Sequence, residues 1–207
     1  MTMATGVDAA LLLDRLVSAS NTEDVGSSLE QIWKALRSEQ LSASEVLLEP
    51  QVLTALLEVL QTDSYKNLKI EDGRVAAARI YLELVKDNID LLLTEPSEGR
   101  LLETCIDAAA DAELPSYPRV LTLQILQKLC QSRLSQNQLL SAPNGLHRLG
   151  DLLSTDDPQV RNEALLLAQR LSQFASISKI WMFSEVGDVV MNIAMAEGGL
   201  TNGNILV

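Results

Sequence analysis

A chain of 207 residues is long enough for one sizeable domain with a continuous core. Hydrophobic residues make up 47% of it, which excludes a disordered chain, and aromatics only 3%, so the core must be aliphatic and, with Leu and Ala dominant, helical. Sixteen Lys and Arg against 28 Asp and Glu leave a net charge of −12, a surface that repels phosphate backbones and disfavours nucleic acid or anionic lipid as a direct partner.

Residues 1–8 carry no helical pattern, no basic start and no cleavage site, and are expected to be disordered rather than a signal peptide. Ala9–Ala19 and Asp24–Arg37 follow as two helices around the Asn21-Thr22-Glu23-Asp24 cluster, a partial leading unit over roughly 9–40. From Glu45 one pattern recurs: a short apolar segment, a Pro/Gly-type break, then a longer amphipathic segment. It runs over Glu45–Leu60, Asp90–Glu103, Gln138–Leu153 and Lys179–Ile193. Taking Leu48, Leu93, Leu140 and Phe183 as equivalent gives spacings of 45, 47 and 43 residues, the period of armadillo and HEAT arrays. Pro50, Pro96 and Pro143 fall between the first two segments of a unit, where a proline ends one helix without spoiling the next.

A third segment follows each of the first three copies. Gly73–Val85 carries Val75, Ala78, Leu82 and Val85; Pro118–Leu129 carries Val120, Leu123, Leu126 and Leu129; Pro158–Leu171 carries Val160, Ala164, Leu167, Ala168 and Leu171. Steps of three and four make each an amphipathic helix. Thr155-Asp156-Asp157-Pro158 is a helix start, with a capping side chain, acidic residues and a first-turn proline. The expected fold is therefore all-α, an armadillo/HEAT-like α-solenoid of about four to five repeats at 9–40, 41–86, 87–132, 133–176 and 177–207, right-handed as such arrays usually are. The last repeat is incomplete, which suggests the N-terminal part of a longer array.

Chemistry finds little support in these residues. His147, the lone histidine, falls on the polar side of a helix whose apolar positions are Leu146, Leu149, Leu152 and Leu153, with no orienting acid or nucleophile in its motif. Cys105 and Cys130 stand in apolar helical context without the neighbours a metal site needs, and are expected to be buried reduced thiols. Gly198–Asn204 lacks the lysine and the preceding strand of a phosphate loop. Trp33 and Trp181 lie in apolar periodic context and are expected in the core. No catalytic, cofactor-binding or metal residue is assigned, and the expected role is that of a non-catalytic scaffold.

Nuclear-import adaptors carry a Trp four residues before an Asn on the third helix of each repeat. The matching pairs, Ile80/Leu84, Gln124/Lys128 and Leu166/Arg170, are neither. Ser141–Ser154 and Gln159–Ser172, the latter with the core Val160-Arg-Asn-Glu-Ala-Leu-Leu-Leu167, resemble the globular head of the general vesicular transport factor family. Ile177–Glu185 and Glu197–Val207 continue the likeness in order, and Val52–Asp63 resembles an earlier repeat. Residues 100–118 match poorly, and Ala108–Pro118 has the look of a local insertion.

The resemblance implies an armadillo head followed by a coiled-coil tail and an acidic end, in a homodimer that tethers vesicles between the endoplasmic reticulum and the Golgi. It also implies engagement of Rab GTPases, golgins and SNAREs, and a cytoplasmic protein peripherally associated with Golgi and vesicle membranes. An armadillo-type nucleotide-exchange cofactor of a cytosolic chaperone is the alternative. On the scaffold reading, the candidate docking surface is the row of third helices, including Lys128, Arg161, Asn162 and Arg170.

Overall fold

The computed structural model describes residues 9–19, 22–61, 71–87, 98–142 and 144–173. Every regular element among them is an α-helix: α1 (Ala9–Ser18), α2 (Thr22–Arg37), α3 (Ala43–Leu47), α4 (Pro50–Leu60), α5 (Glu71–Asp87), α6 (Glu98–Ala110), α7 (Ser116–Leu129), α8 (Arg133–Ser141), α9 (Gly145–Leu153) and α10 (Pro158–Ser172). They group into two compact units, Met1–Thr104 and Cys105–Val207, whose boundary falls within α6.

In the first unit α2 packs on α5, α1 on α2 and α4, and α3 and α4 on α5. Where α2 ends, the chain turns through Glu39 at φ 57°, while Gln40 and Leu41 both donate their N–H to the Ala35 carbonyl. A non-glycine residue pays for this left-handed conformation because it closes the C-terminus of the helix. Ser42 then opens α3 with a capping box: its hydroxyl accepts from the Glu45 N–H at 3.2 Å, and its own N–H donates to Glu45 Oε2 at 2.7 Å. Those contacts hold the Glu45 carboxyl below the usual carboxylate range, the hydrogen bond from the Ser42 backbone contributing most.

Pro50 occupies the first position of α4, where its missing N–H removes no helical bond. Val52, Leu53, Leu56, Leu57, Val59 and Leu60 are buried around more than one side of α4, which touches α1, α3 and α5. On α5 the buried side chains are Arg74, Ala76, Ala77, Ile80, Tyr81 and Leu84, together with the expected Ala78 and Val85; the expected Val75 and Leu82 are only half-buried. The periodicity identified the helix but not its inner side. A helix flanked by α2, α3 and α4 buries most of its circumference, so one amphipathic stripe no longer marks the core.

Leu48 is a second correction. It is 79% exposed, because it caps α3 with its N–H on the Ser44 carbonyl and has left the helix stripe. Val46 fills the buried position instead; on α8 the buried residue is Leu139, while Leu140 is half-buried. The buried residue therefore lies two positions before Leu48 on the first copy and one before Leu140 on the third. Leu93, Phe183, Pro96 and Pro143, and the copy beginning at Lys179, lie outside the described residues.

In the second unit α7 is covered nearly all round: Pro118, Arg119, Leu121, Thr122, Leu123, Ile125, Leu126 and Leu129 are buried. α10 packs on α7, α9 on α10, and α8 on α9. All five expected apolar residues of α10, Val160, Ala164, Leu167, Ala168 and Leu171, are buried. Asp157 caps it, accepting from the N–H groups of Gln159 and Val160, with Pro158 in the first turn. Ala108–Pro118 forms the buried last turn of α6, a short connection and the first turn of α7; the turn is held by Glu113 N–H on Asp111 Oδ1 at 2.9 Å. α8 and α9 meet so closely at Gly145 that an added Cβ would stand 2.0 Å from the Leu139 carbonyl oxygen.

Candidate functional site

The candidate surface lies on α7 and α10, and its framework is a set of polar contacts between them. Ser116 Oγ, at the start of α7, donates to Asp157 Oδ2 at the start of α10. Further along, Gln127 Nε2 donates to Glu163 Oε2 at 2.7 Å and to the Glu163 carbonyl at 2.9 Å, and Gln124 Nε2 reaches Glu163 Oε1 at 3.3 Å. Near the C-terminal ends Arg170 acts electrostatically on Cys130. Ser116 meets Asp157, and further along both helices Gln124 and Gln127 meet Glu163, so the two long helices run in the same direction. The hydrogen bond from Ser116, then those from the Val160 and Gln159 N–H groups, hold the Asp157 carboxyl below its ordinary range, although burial works against them.

Arg119 anchors the other side of α7. It is 6% exposed, and its Nε donates to the Ala109 carbonyl at 2.8 Å, satisfying one of the carbonyls that the end of α6 leaves without a helical partner. A buried guanidinium requires such acceptors. Its sequence context, between a proline and a valine at the start of an apolar helix, gave no warning of that role.

The four expected docking residues do not form one cluster. Lys128 and Asn162 are exposed, whereas Arg161 and Arg170 are half-buried. Arg161 Nη1 contacts the Thr155 carbonyl at 3.4 Å, folding back on the loop before α10. Nine residues separate Arg161 from Arg170, about half a turn out of phase on a helix, so the two point to opposite sides of α10. Asn162, Leu166 and Arg170, by contrast, follow one another in steps of four on one side. Leu166 between them is 50% exposed, an apolar residue on the solvent side that the docking assignment omitted. The step-of-four spacing with two polar flanks was the signal for it. Ile80 and Leu84 are fully buried, so an import-adaptor ladder has no surface at that pair.

His147 is exposed on α9, its Nε2 3.9 Å from Asp151 Oδ2 one turn on. Both cysteines are free and buried. Burial pushes the Cys130 thiol up to about 12, with Arg170 pulling the other way; Cys105 is pushed up by burial and, secondarily, by Cys130. Thiols so far from ionising are poor nucleophiles. Trp33 is half-buried rather than core. The Arg79 and Arg37 guanidiniums lie 4.7 and 5.6 Å from its ring centroid, and Leu29 and Ile32 take the interior positions of α2. Trp181 and Gly198–Asn204 lie outside the described residues. Among the described residues no group of three or more His, Cys, Asp or Glu could hold a metal ion, and no helix is long and apolar enough to cross a membrane.

No protein-family profile matches the chain. It is similar to "Golgin candidate 6" of Arabidopsis thaliana, 38% identical over 142 residues, a stretch covering 67% of this chain. The chain spans 14% of that relative's length.

Proposed function

We propose that this chain is part of the armadillo-like head of a Golgi-associated vesicle-tethering protein and acts as a non-catalytic scaffold that holds other proteins. The observation that carries the reading is the 38% identity over 142 residues to a protein named as a golgin. The helical architecture supports it. α3, α4 and α5 run short, medium, long in the first unit, and α8, α9 and α10 give two shorter helices and a longer one in the second. In each unit a long helix packs on the long helix of the next triplet, α2 on α5 and α7 on α10. Consecutive long helices running the same way, as α7 and α10 do, require the intervening helices to carry the chain back. That is how a three-helix repeat stacks, and it is not how an up-and-down bundle does.

On this reading the exposed side of α10, with Asn162, Leu166 and Arg170, and the exposed Lys128 on α7, the helix against which α10 packs, form the docking face, and Arg161 serves the fold. The partners are proteins of the transport machinery: Rab GTPases, golgins and SNAREs. The test is recruitment of the fluorescently tagged chain to Golgi membranes in cells, paired with membrane flotation. Enrichment that Leu166→Glu with Lys128→Glu abolishes, at unchanged melting temperature, supports the assignment. A diffuse distribution with no co-flotation overturns the Golgi reading; recruitment indifferent to the double substitution overturns the docking face.

A further inference from the structure

A groove of about 370 Å³ lies between α1 and the C-terminal half of α2 in the first unit. We propose that it docks an acidic, leucine-bearing segment of a partner protein. Its apolar part is Leu11, Leu12 and Ala35, and its charged rim is Arg15 and Lys34; among the described residues that line it there is no carboxylate. α1 turns Leu12, Leu13 and Leu16 into the unit yet leaves Leu11 52% exposed on the groove side. An aliphatic side chain entering there covers surface that water now contacts, the helix-in-groove mode of recognition.

The charge of the occupant follows from the rim. The chain as a whole carries −12, which argues against an acidic ligand at long range. At physiological ionic strength, however, exposed charges beyond about 8 Å are largely screened. Arg15 and Lys34 therefore decide what enters: a basic segment would meet Arg15 and an already paired Lys34, whereas an acidic one gains from both. Lys34 already holds a carboxylate: Glu30, one turn back on α2, lies 2.7 Å from its Nζ, with both side chains mostly exposed. Glu30 occupies the position a partner carboxylate would take, so it competes with the ligand.

The competition supplies a gain-of-function test. Fluorescein-labelled synthetic helical peptides, one with Leu at helical steps of three and four and Glu between them, one with Lys in place of that Glu, and one with the Leu of the first replaced by Ser, are titrated with the full chain and followed by anisotropy. The Leu/Glu peptide is expected to bind and the other two not. Arg15→Glu with Lys34→Glu should weaken it at least tenfold, Glu30→Gln should tighten it severalfold, and raising salt from about 0.05 to about 0.5 M should loosen it. All the substituted side chains are exposed, so circular dichroism and melting should be unchanged. No binding of the Leu/Glu peptide, equal binding of the Leu/Lys peptide, or indifference to the charge reversal overturns the proposal. Self-association lost in the reversed variant would assign the groove to a second copy and overturn it too. The groove belongs to the first unit and the α10 face to the second, and the peptide titration does not read membrane recruitment, so neither result bears on the Golgi reading.

Discussion

Replacing Gly145 by alanine separates local propensity from tertiary contact, because the two predict opposite signs. In a helix an alanine is favoured over glycine by about 0.5–1 kcal/mol. Gly145 opens α9, and helix preference alone would make the substitution neutral or stabilising. The Leu139 carbonyl oxygen of α8, however, lies 2.0 Å from where the new methyl carbon would sit, and the Leu139 carbonyl carbon 3.2 Å. Real Cβ contacts essentially never fall below 3.0 Å, so α8 and α9 must separate by roughly 1 Å, and the obstacle is backbone that cannot rotate away.

Overpacking of this kind costs about 1–3 kcal/mol, occasionally more, and the upper part of that range applies to a backbone obstacle. At about 2–4 °C per kcal/mol for a chain of this size, the melting midpoint should fall by roughly 5–10 °C. Gly26, inside α2, is the control: nothing lies within 4 Å of its virtual Cβ, so Gly26→Ala should raise stability by about 0.5–1 kcal/mol. Thermal and urea unfolding followed at the helical circular dichroism band measure both, and amide hydrogen exchange should place the loss of protection in α8 and α9. A Gly145→Ala protein as stable as the parent would refute the close approach.

Asp157→Ala removes the cap of α10 and its bond from Ser116, and should cost about 1–2 kcal/mol in urea unfolding. The folded carboxyl titrates below its usual value, so its stabilisation is present above the unfolded pKa of about 3.9 and is lost as pH falls through the lower folded value; Asp157→Asn should flatten that part of the acid-unfolding profile. Arg119→Met keeps much of the volume but leaves the Ala109 carbonyl without its donor, and should cost about 1–3 kcal/mol by the same assay; a loss below about 0.5 kcal/mol would refute the anchoring role. Glu39→Gly relieves the left-handed backbone at φ 57° and should stabilise by about 1 kcal/mol, seen as a higher urea midpoint.

Helix existence was legible wherever the apolar period was long or the start was marked. The Asp157-Pro158 signal placed the start of α10, and its whole apolar side is the buried side. α5 shows the limit. Ile80, Tyr81 and Leu84 compete with Val75 and Leu82 for the interior, and only the neighbours α2, α3 and α4 settle the contest. The third-helix residues show the same limit: Arg161 and Arg170 are alike in chemistry, but half a turn of helix sends Arg161 back onto Thr155 and puts Arg170 on the other side of α10.

Composition and period by themselves determined an all-helical, aliphatic, acidic chain, because those properties depend on residue types and their spacing along one helix. Tertiary structure alone decided which sides face inward, that Gly145 cannot carry a side chain, that a buried arginine is held by the end of α6, and that Leu11 borders a basic groove. Each of these is set by atoms distant in sequence that meet only after the helices stack, and no local pattern records which helix will be the neighbour.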